Sequence, residues 1–304
     1  MLLSIIIPTK DRTEILKLTL QKAIEAIEGF EIEIIVVNDG NEIIQKIENP
    51  KIQYHNNPKK GVTTARNYGA SLAQSNLLLF LDDDMWITKG TIEGIKDIRD
   101  KYDLSNNTFC LNWEYPNELI TQYKHEKLGR LYIKNNYHTM LGRSGLILNQ
   151  TQKIIQSNGI GSASFLIKKE VFNKINGYNE FIQFQGEDID IYSKLKNDSI
   201  NTLIYTPITC FHNDNTISTI QDYTNREYRG YLSQAKAEQQ GLIQKTNQND
   251  LKTKFYQLLL PFESIFIFIF NLLPNKKMFD TIAFKLIGIL GALQKVKAYR
   301  NIYA

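Results

Sequence analysis

The sequence predicts an α/β fold, with a mostly parallel sheet carrying helices on both faces and a helical extension at the C-terminus. Three observations predict it. Four short apolar runs occur early, "LSIIIP" (3–8), "IEIIVV" (32–37), "KIQYH" (51–55) and "LLLFL" (77–81). Helix-like stretches stand between them. Three of the runs end in polar clusters, "PTKDR", "NDG" and "DDD".

Each element follows from its pattern. The apolar runs are rich in Ile, Val and Leu, and two are continuous, as in strands covered on both faces. "RTEILKLTLQKAIEA" (12–26) places Ile15, Leu18, Ala23 and Ala26 at helical spacing. "VTTARNYGASLAQ" (62–74) is the second helical stretch. Strand, helix, strand, helix, strand implies parallel pairing through right-handed crossovers. Ligands bind such sheets beyond the carboxyl ends of the strands, so the three polar clusters are expected to gather over one crevice. Residues 105–158 are less regular and rich in Asn, Tyr and Lys. A compact block follows at 159–212, then a polar helix-prone stretch at 221–240. From Phe255 to Tyr303 the chain is strongly apolar, broken by "PNKK" (274–277).

Composition narrows the class. With 304 residues, 42% hydrophobic and 22% charged, the chain can bury a sizeable core. A net charge of +4 is too small to indicate a nucleic-acid partner. Two cysteines 100 positions apart, Cys110 and Cys210, form no zinc or disulfide pattern and fit a reducing compartment. "MLLSIIIPTKDR" lacks a basic leader and a cleavage site, and reads as a first buried strand.

Asp82, Asp83 and Asp84 follow a buried run directly, and like charges at that spacing need positive partners. A D-x-D arrangement suits a hard divalent cation, which wants oxygen ligands. With "SIIIPTKDR" (4–12), "VVNDG" (36–40), "FLDDDM" (80–85) and "GSASFLIKKEVFNKINGYNEFIQFQGEDIDIYSKL" (161–195) in this order, residues 3–214 resemble the inverting family 2 glycosyltransferases of GT-A fold. No Q-x-x-R-W motif of processive synthases is present, so long-chain polymerisation is not expected.

The resemblance implies a catalytic domain over 1–215, with a nucleotide-binding half (1–104) and an acceptor half (105–215), and a helical extension over 216–304. It implies transfer from a nucleotide diphosphate sugar, most simply a UDP-sugar, to a glycan or lipid-linked acceptor, aided by Mn2+ or Mg2+. Asp84, Asp82 and His212 are then the expected metal ligands. Pro8, Thr9, Asp11, Asp39, Arg66, Asp82 and Asp83 are expected around the nucleotide sugar, although Asp83 alternates to the other side if the chain is extended there. Asp188 is the expected base that takes the acceptor proton, with Glu187 and Trp113 contacting the acceptor. Each also has a plainer reading: a solvated acidic turn, a surface arginine, acids at a helix start, a core aromatic. Trp86 and Tyr115 are further aromatics that could stack on sugars.

Strand-then-D-x-D also opens the haloacid-dehalogenase-like phosphatases, but there it follows the first strand, and here Trp86 stands where they carry Thr or Val. A non-catalytic sugar-binding relative is a further alternative. A sugar-1-phosphate nucleotidyltransferase would need a glycine-rich loop after the first strand, and "PTKDRTE" has none.

The tail divides. "FYQLLLPFESIFIFIFNLL" (255–273) is interrupted by Pro261, Glu263 and Asn271, leaving an apolar core too short to span a bilayer. Over 278–303, Ile282, Leu286, Ile289, Leu293 and Val296 share one helical face, with Lys285 and Lys295 opposite. The expectations are contact with an anionic membrane surface, or packing on the catalytic domain or on a second copy of the chain. A Lys-, Asn- and Ile-rich composition fits an AT-rich bacterium, so surface polysaccharide synthesis at the cytoplasmic face of the membrane is expected.

Overall fold

The computed structural model describes residues 2–146, 152–182, 186–214, 219–241, 245 and 250–303. The chain begins β1 (Leu3–Thr9), α1 (Thr13–Ala26), β2 (Ile32–Asn38), β3 (Ile52–Asn56), α2 (Val62–Leu72) and β4 (Leu77–Leu81). It continues through β5 (Met85–Ile87), α3 (Lys89–Lys101) and β6 (Asn107–Glu114). Short helices follow, α4 (Asn117–Lys124), α5 (Lys127–Lys134) and α6 (Met140–Arg143). Next come β7 (Ile154–Gln156), β8 (Ser164–Lys168), α7 (Lys169–Lys174), α8 (Glu187–Asn197) and β9 (Asn201–His212). Helices α9 (Ile220–Gln239), α10 (Leu251–Leu259), α11 (Glu263–Leu272) and α12 (Asp280–Tyr303) complete it. Residues 183–185 of the last motif and 215 at the expected boundary lie outside the described residues.

Two compact units result. One holds Met1–Glu114 and Ile147–Asn213, the other Tyr115–Leu146 and Asp214–Ala304. Residues 115–146, placed by sequence in the acceptor half, therefore group with the C-terminal helices.

The first unit is built on a sheet ordered β3-β2-β1-β4-β8-β6-β9-β5, with β7 on β9. β3, β2, β1 and β4 run parallel, as the alternation predicts. β1 and β2 are buried at every residue, because helices cover both faces. Pro8 is tolerated inside β1 because pairing with β4 stops at Ile6, so no ladder bond needs its missing N–H. α2 packs tightly on this layer: a Cβ on Gly69 would lie 2.4 Å from the Ile6 side chain. In α1 the buried face runs through Leu16, Thr19, Leu20, Ala23 and Ala26. Leu18, expected on that face, is 48% exposed, since the helix is rotated to put Leu16 and Leu20 on the sheet. β8 pairs antiparallel with β4, and β9 pairs parallel with β6 while carrying β5 antiparallel.

The second unit is helical. α12 packs against α5, α9, α10 and α11 and is its central helix. Its buried side chains include Leu286, Ile287, Leu290, Leu293 and Val296. Ile282, placed by sequence on the same apolar face as Leu286 and Leu293, is exposed, because partners on several sides broaden the covered surface toward Ile287 and Leu290. Arg130 of α5 ties Asp280 with Nε and Nη2 bonds of 2.9 and 2.6 Å. Pro261 does not break the apolar segment before α12. It starts a 3₁₀ turn, Leu260–Phe262, where its missing N–H costs little, and Leu251–Leu272 runs on as 22 helical residues.

Candidate active site

The three acids sit in a turn of the first unit, which replaces the extended chain expected from sequence. The Asp82 N–H donates to the Ala163 carbonyl at 3.1 Å, and the Asp82 carbonyl accepts from the Met85 N–H at 3.1 Å. Asp83 and Asp84 are buried, while the Asp82 side chain is 34% exposed. Two arginines supply the missing positive charge. Arg12 places Nη1 2.7 Å from Asp83 and Nη2 2.7 Å from Asp84. Arg66, buried on α2, places Nη2 2.8 Å from Asp82. The Thr9 hydroxyl donates to the second oxygen of Asp83 at 2.7 Å, so that carboxylate is fully engaged inside the protein. Burial pushes the Asp83 carboxyl up to about 7, with Arg12 pulling it down.

His212 is brought to this turn by pairing of β5 with β9, which sets it opposite Met85. Its Nε2 lies 3.3 Å from the Asp84 carboxylate, and the Asn213 N–H donates to the Asp84 carbonyl at 2.8 Å. Trp113 packs edge-on against the His212 ring at 4.8 Å. A buried carboxylate and an imidazole nitrogen facing one another form a donor pair that can hold a divalent cation. Asp82 is directed to Arg66 instead.

Arg66 links the turn to α8. Its Nη1 lies 3.2 Å from Glu187, and its guanidinium stands 5.3 Å from the Tyr178 ring. Burial works against the Arg66 charge, but Asp82 and Glu187 more than offset this, and its pKa is raised. The second oxygen of Glu187 is buried and has no hydrogen-bond partner among the described residues. α8 starts after Gly186, whose φ of 120° disfavours any side chain, and places Glu187, Asp188 and Asp190 in its first turn. Asp190 is buried and paired with Lys194 at 2.8 Å. Asp188 accepts from the Ser162 N–H at 3.0 Å and from the Ser162 hydroxyl, which in turn accepts from Tyr178 Oη at 2.9 Å. Burial, then the charge of Glu187, push the Asp188 carboxyl up to about 7.

Asp39 lies beside the end of β1. Its N–H donates to the Thr9 carbonyl at 2.8 Å, and its Oδ1 accepts from Asn57 at 2.7 Å and the Gly61 N–H at 2.8 Å. Among the described residues its Oδ2 has no partner. Asp11 has a φ of 51° and spends Oδ1 on the N–H groups of Asn41 and Glu42, which hold its carboxyl below the usual range. Pro8 and Thr9 are buried strand residues, so they brace the site from behind rather than offer an open backbone edge.

Residues 4–174 match the sequence profile of glycosyl transferase family 2, over half of the chain. The chain belongs to that family. Minor teichoic acid biosynthesis protein GgaB of Bacillus subtilis (strain 168) is 36% identical over 100 residues, covering 28% of this chain and 11% of GgaB. The chain thus spans only a small part of that relative. A crystal structure of GalNAc-T7 with UDP, GalNAc and Mn2+ matches at a TM-score of 0.51, with 16% identity over 84% of this chain and 53% of that one. S. aureus TarS matches at 0.50, with 12% identity over 99% of this chain and 55% of that one. These likenesses show the GT-A fold.

In this family member two aromatics expected to stack on sugar are core residues. Trp113 is buried and supports His212, and Tyr115 is 1% exposed inside the second unit. Sequence reasoning missed Arg12, Ser162 and Tyr178. Arg12 was findable, because three adjacent acids demand more cation than Arg66 alone supplies.

Proposed function

We propose that this glycosyltransferase moves a sugar from a UDP-sugar to a glycan or lipid-linked acceptor by a single inverting displacement, in cell-surface polysaccharide synthesis. The observation that carries the reading is one chain of charge through buried Arg66, Asp82–Arg66–Glu187, joining the acidic turn to the helix start that bears Asp188. Membership of the family sets the phosphatase alternative aside. The teichoic acid role named for GgaB and the UDP, GalNAc and Mn2+ named for GalNAc-T7 support the substrate class.

Each residue then has a task. The Oδ2 of Asp39 accepts from the uracil N–H. Asp82, the exposed acid of the turn, contacts the ribose. Asp84 and His212 hold the cation. Their mixed oxygen–nitrogen donor set favours Mn2+ over Mg2+, which prefers all-oxygen shells. A cation held there would supply neutralisation of the charge developing on the leaving diphosphate. Arg12 holds Asp83 and Asp84 in place before the donor arrives. Asp188 takes the proton of the attacking acceptor hydroxyl, and Ser162, backed by Tyr178, fixes its orientation. The unpartnered oxygen of Glu187 accepts from a second acceptor hydroxyl. The expected result is Mn2+-dependent release of UDP from one member of a UDP-sugar panel without acceptor. Release from a simple phosphate ester in its place, or from no nucleotide sugar, overturns the reading.

We place the enzyme at the cytoplasmic face of a membrane, through α10 and α11. The most apolar 18-residue stretch within Leu251–Leu272 has a mean hydropathy of 1.6, and 6% of it is buried. Phe255, Leu258, Phe262, Ile265, Phe268 and Leu272 are all exposed. Lys254, Lys276 and Lys277 flank these residues in sequence. Glu263 sits at the middle of the segment, bound to Gln294 at 2.7 Å and to half-exposed Lys297 at 3.2 Å. A span would bring that charged group to the bilayer centre, so the helix lies in the interface. The protein is expected to co-sediment with anionic liposomes, and serine at Phe255, Leu258, Phe268 and Leu272 together is expected to abolish this while UDP release persists. A chain that ignores liposomes and runs as a dimer, made monomeric by those substitutions, contradicts the placement.

A further inference from the structure

The second unit contains a cavity of about 820 Å³, of the size that holds small-molecule ligands. Its origin is legible in the chain. On α9, Tyr223, Glu227 and Tyr231 recur every four residues and share one helical face. The stretch of α12 that lines the cavity carries Gly288, Gly291 and Ala292, which have little or no side chain to fill it. A Cβ on Gly288 would meet nothing within 4 Å.

The lining chemistry is specific. Arg143, Arg226, Lys252 and Lys295 bring four cations to the walls. Arg226 and Arg143 share one carboxylate, Asp214, at 2.8 and 3.3 Å. Lys252 and Lys295 make no close ion pair among the described residues, but both lie near enough to Asp250 to lower its pKa, and the Lys295 Nζ stands 5.7 Å over the Tyr299 ring. Of the two acids on the walls, Asp250 caps α10 by accepting from the Thr253 N–H, and burial raises the pKa of Glu227. Tyrosines supply flat apolar faces with hydroxyl rims, which suit polyhydroxylated groups. Four cations thus face two shared carboxylates, Asp214 and Asp250; a neutral glycan would leave that excess of positive charge unmatched, and a bare phosphate would leave most of the volume empty.

We propose that this cavity binds a phosphodiester-linked polyol or sugar chain, with Lys252 and Lys295 on the phosphate and the tyrosine walls on the hydroxylated units. That the chain is the acceptor rests on the proposed function; the binding itself does not. The residues assigned to donor and base belong to the first unit.

The probe is soluble oligo(glycerol phosphate), measured by calorimetry on the full chain, beside a neutral trisaccharide and phosphatidylglycerol vesicles. A charge-assisted contact removed from such a site weakens binding by about tenfold or more. Lys295→Gln is therefore expected to weaken the soluble chain about tenfold, with the binding lost progressively at high salt. Gly288→Phe, which projects into open space, is expected to abolish it. UDP release from the donor is expected to be unchanged in both variants. Equal affinity in wild type and both variants, no binding of the soluble chain, or binding of vesicles alone overturns the proposal. Loss of UDP release in wild type strikes the glycosyltransferase reading instead and leaves the binding result standing.

Discussion

Asp84→Ala is expected to reduce sugar transfer at least about 10^3-fold, because a metal that stabilises a leaving diphosphate contributes several kcal/mol and each 1.36 kcal/mol is tenfold in rate. Asp84 is the acid that meets His212, at 3.3 Å, and it is buried. The fold is expected to survive, since Arg12 keeps its second carboxylate on Asp83 and Thr9 holds Asp83 independently. Chelation of wild type is expected to give the same loss, with UDP binding weakened in both cases. His212→Ala is expected to follow Asp84→Ala, and Asp82→Asn to lose less, since Asp82 faces Arg66. The check is initial rate against Mn2+ concentration. Full activity in excess EDTA removes the cation from the account.

Asp188→Asn is expected to lower transfer about 10^2–10^4-fold, the usual effect of removing a general base. The change keeps the side chain's size, and the amide oxygen can still accept from Ser162. Donor binding is expected to hold, since Asp39 and Asp84 belong to other elements. The sign of the pH dependence follows from the raised pKa. Asp188 works as a base only when ionised, and burial together with Glu187 lifts its carboxyl to about 7. Wild-type kcat/KM is therefore expected to rise with pH through about 7 and level off above it. That inflection is expected to vanish in Asp188→Asn. A variant transferring at the wild-type rate while Glu187→Gln is dead assigns the proton to the wrong acid.

Much of the parallel layer was legible because its signal is local. Continuous Ile and Val runs become strands covered on both faces, and Ile5, Ile6, Ile7, Ile34 and Ile35 are fully buried. The gathering of the three polar strand ends followed from parallel pairing alone. Side-chain aim was less legible. Alternation predicts that Asp82 and Asp84 share one side, whereas the turn sends Asp82 to Arg66 and Asp84 to His212. That depends on the Ala163 carbonyl pinning the Asp82 N–H, a contact 81 positions away in sequence. Arg12 shows the same limit, because a charge requirement does not say which loop fulfils it.

The tail reversed for a different reason. Both apolar segments could bury a face, and periodicity does not choose between them. α12 buries side chains on several sides, as a helix surrounded by others does, and its neighbours are α5, α9, α10 and α11. The segment around Pro261 was read as interrupted, yet its exposed Phe and Leu residues make it the outward face. Trp113 and Tyr115 belong to the core because large aromatics bury well wherever their polar tips find partners, as Tyr115 does on Asp214 at 3.2 Å.

The central claim is a single displacement assisted by one carboxylate base, and the configuration of the released sugar tests it most directly. Wild-type enzyme with Mn2+ and an α-linked UDP-sugar, followed by proton NMR within the first minutes, reports the anomeric signal before mutarotation. The account predicts that the first free sugar is the β-anomer, formed together with UDP and absent in Asp188→Asn. An α-anomer appearing first would require a double displacement and would contradict it.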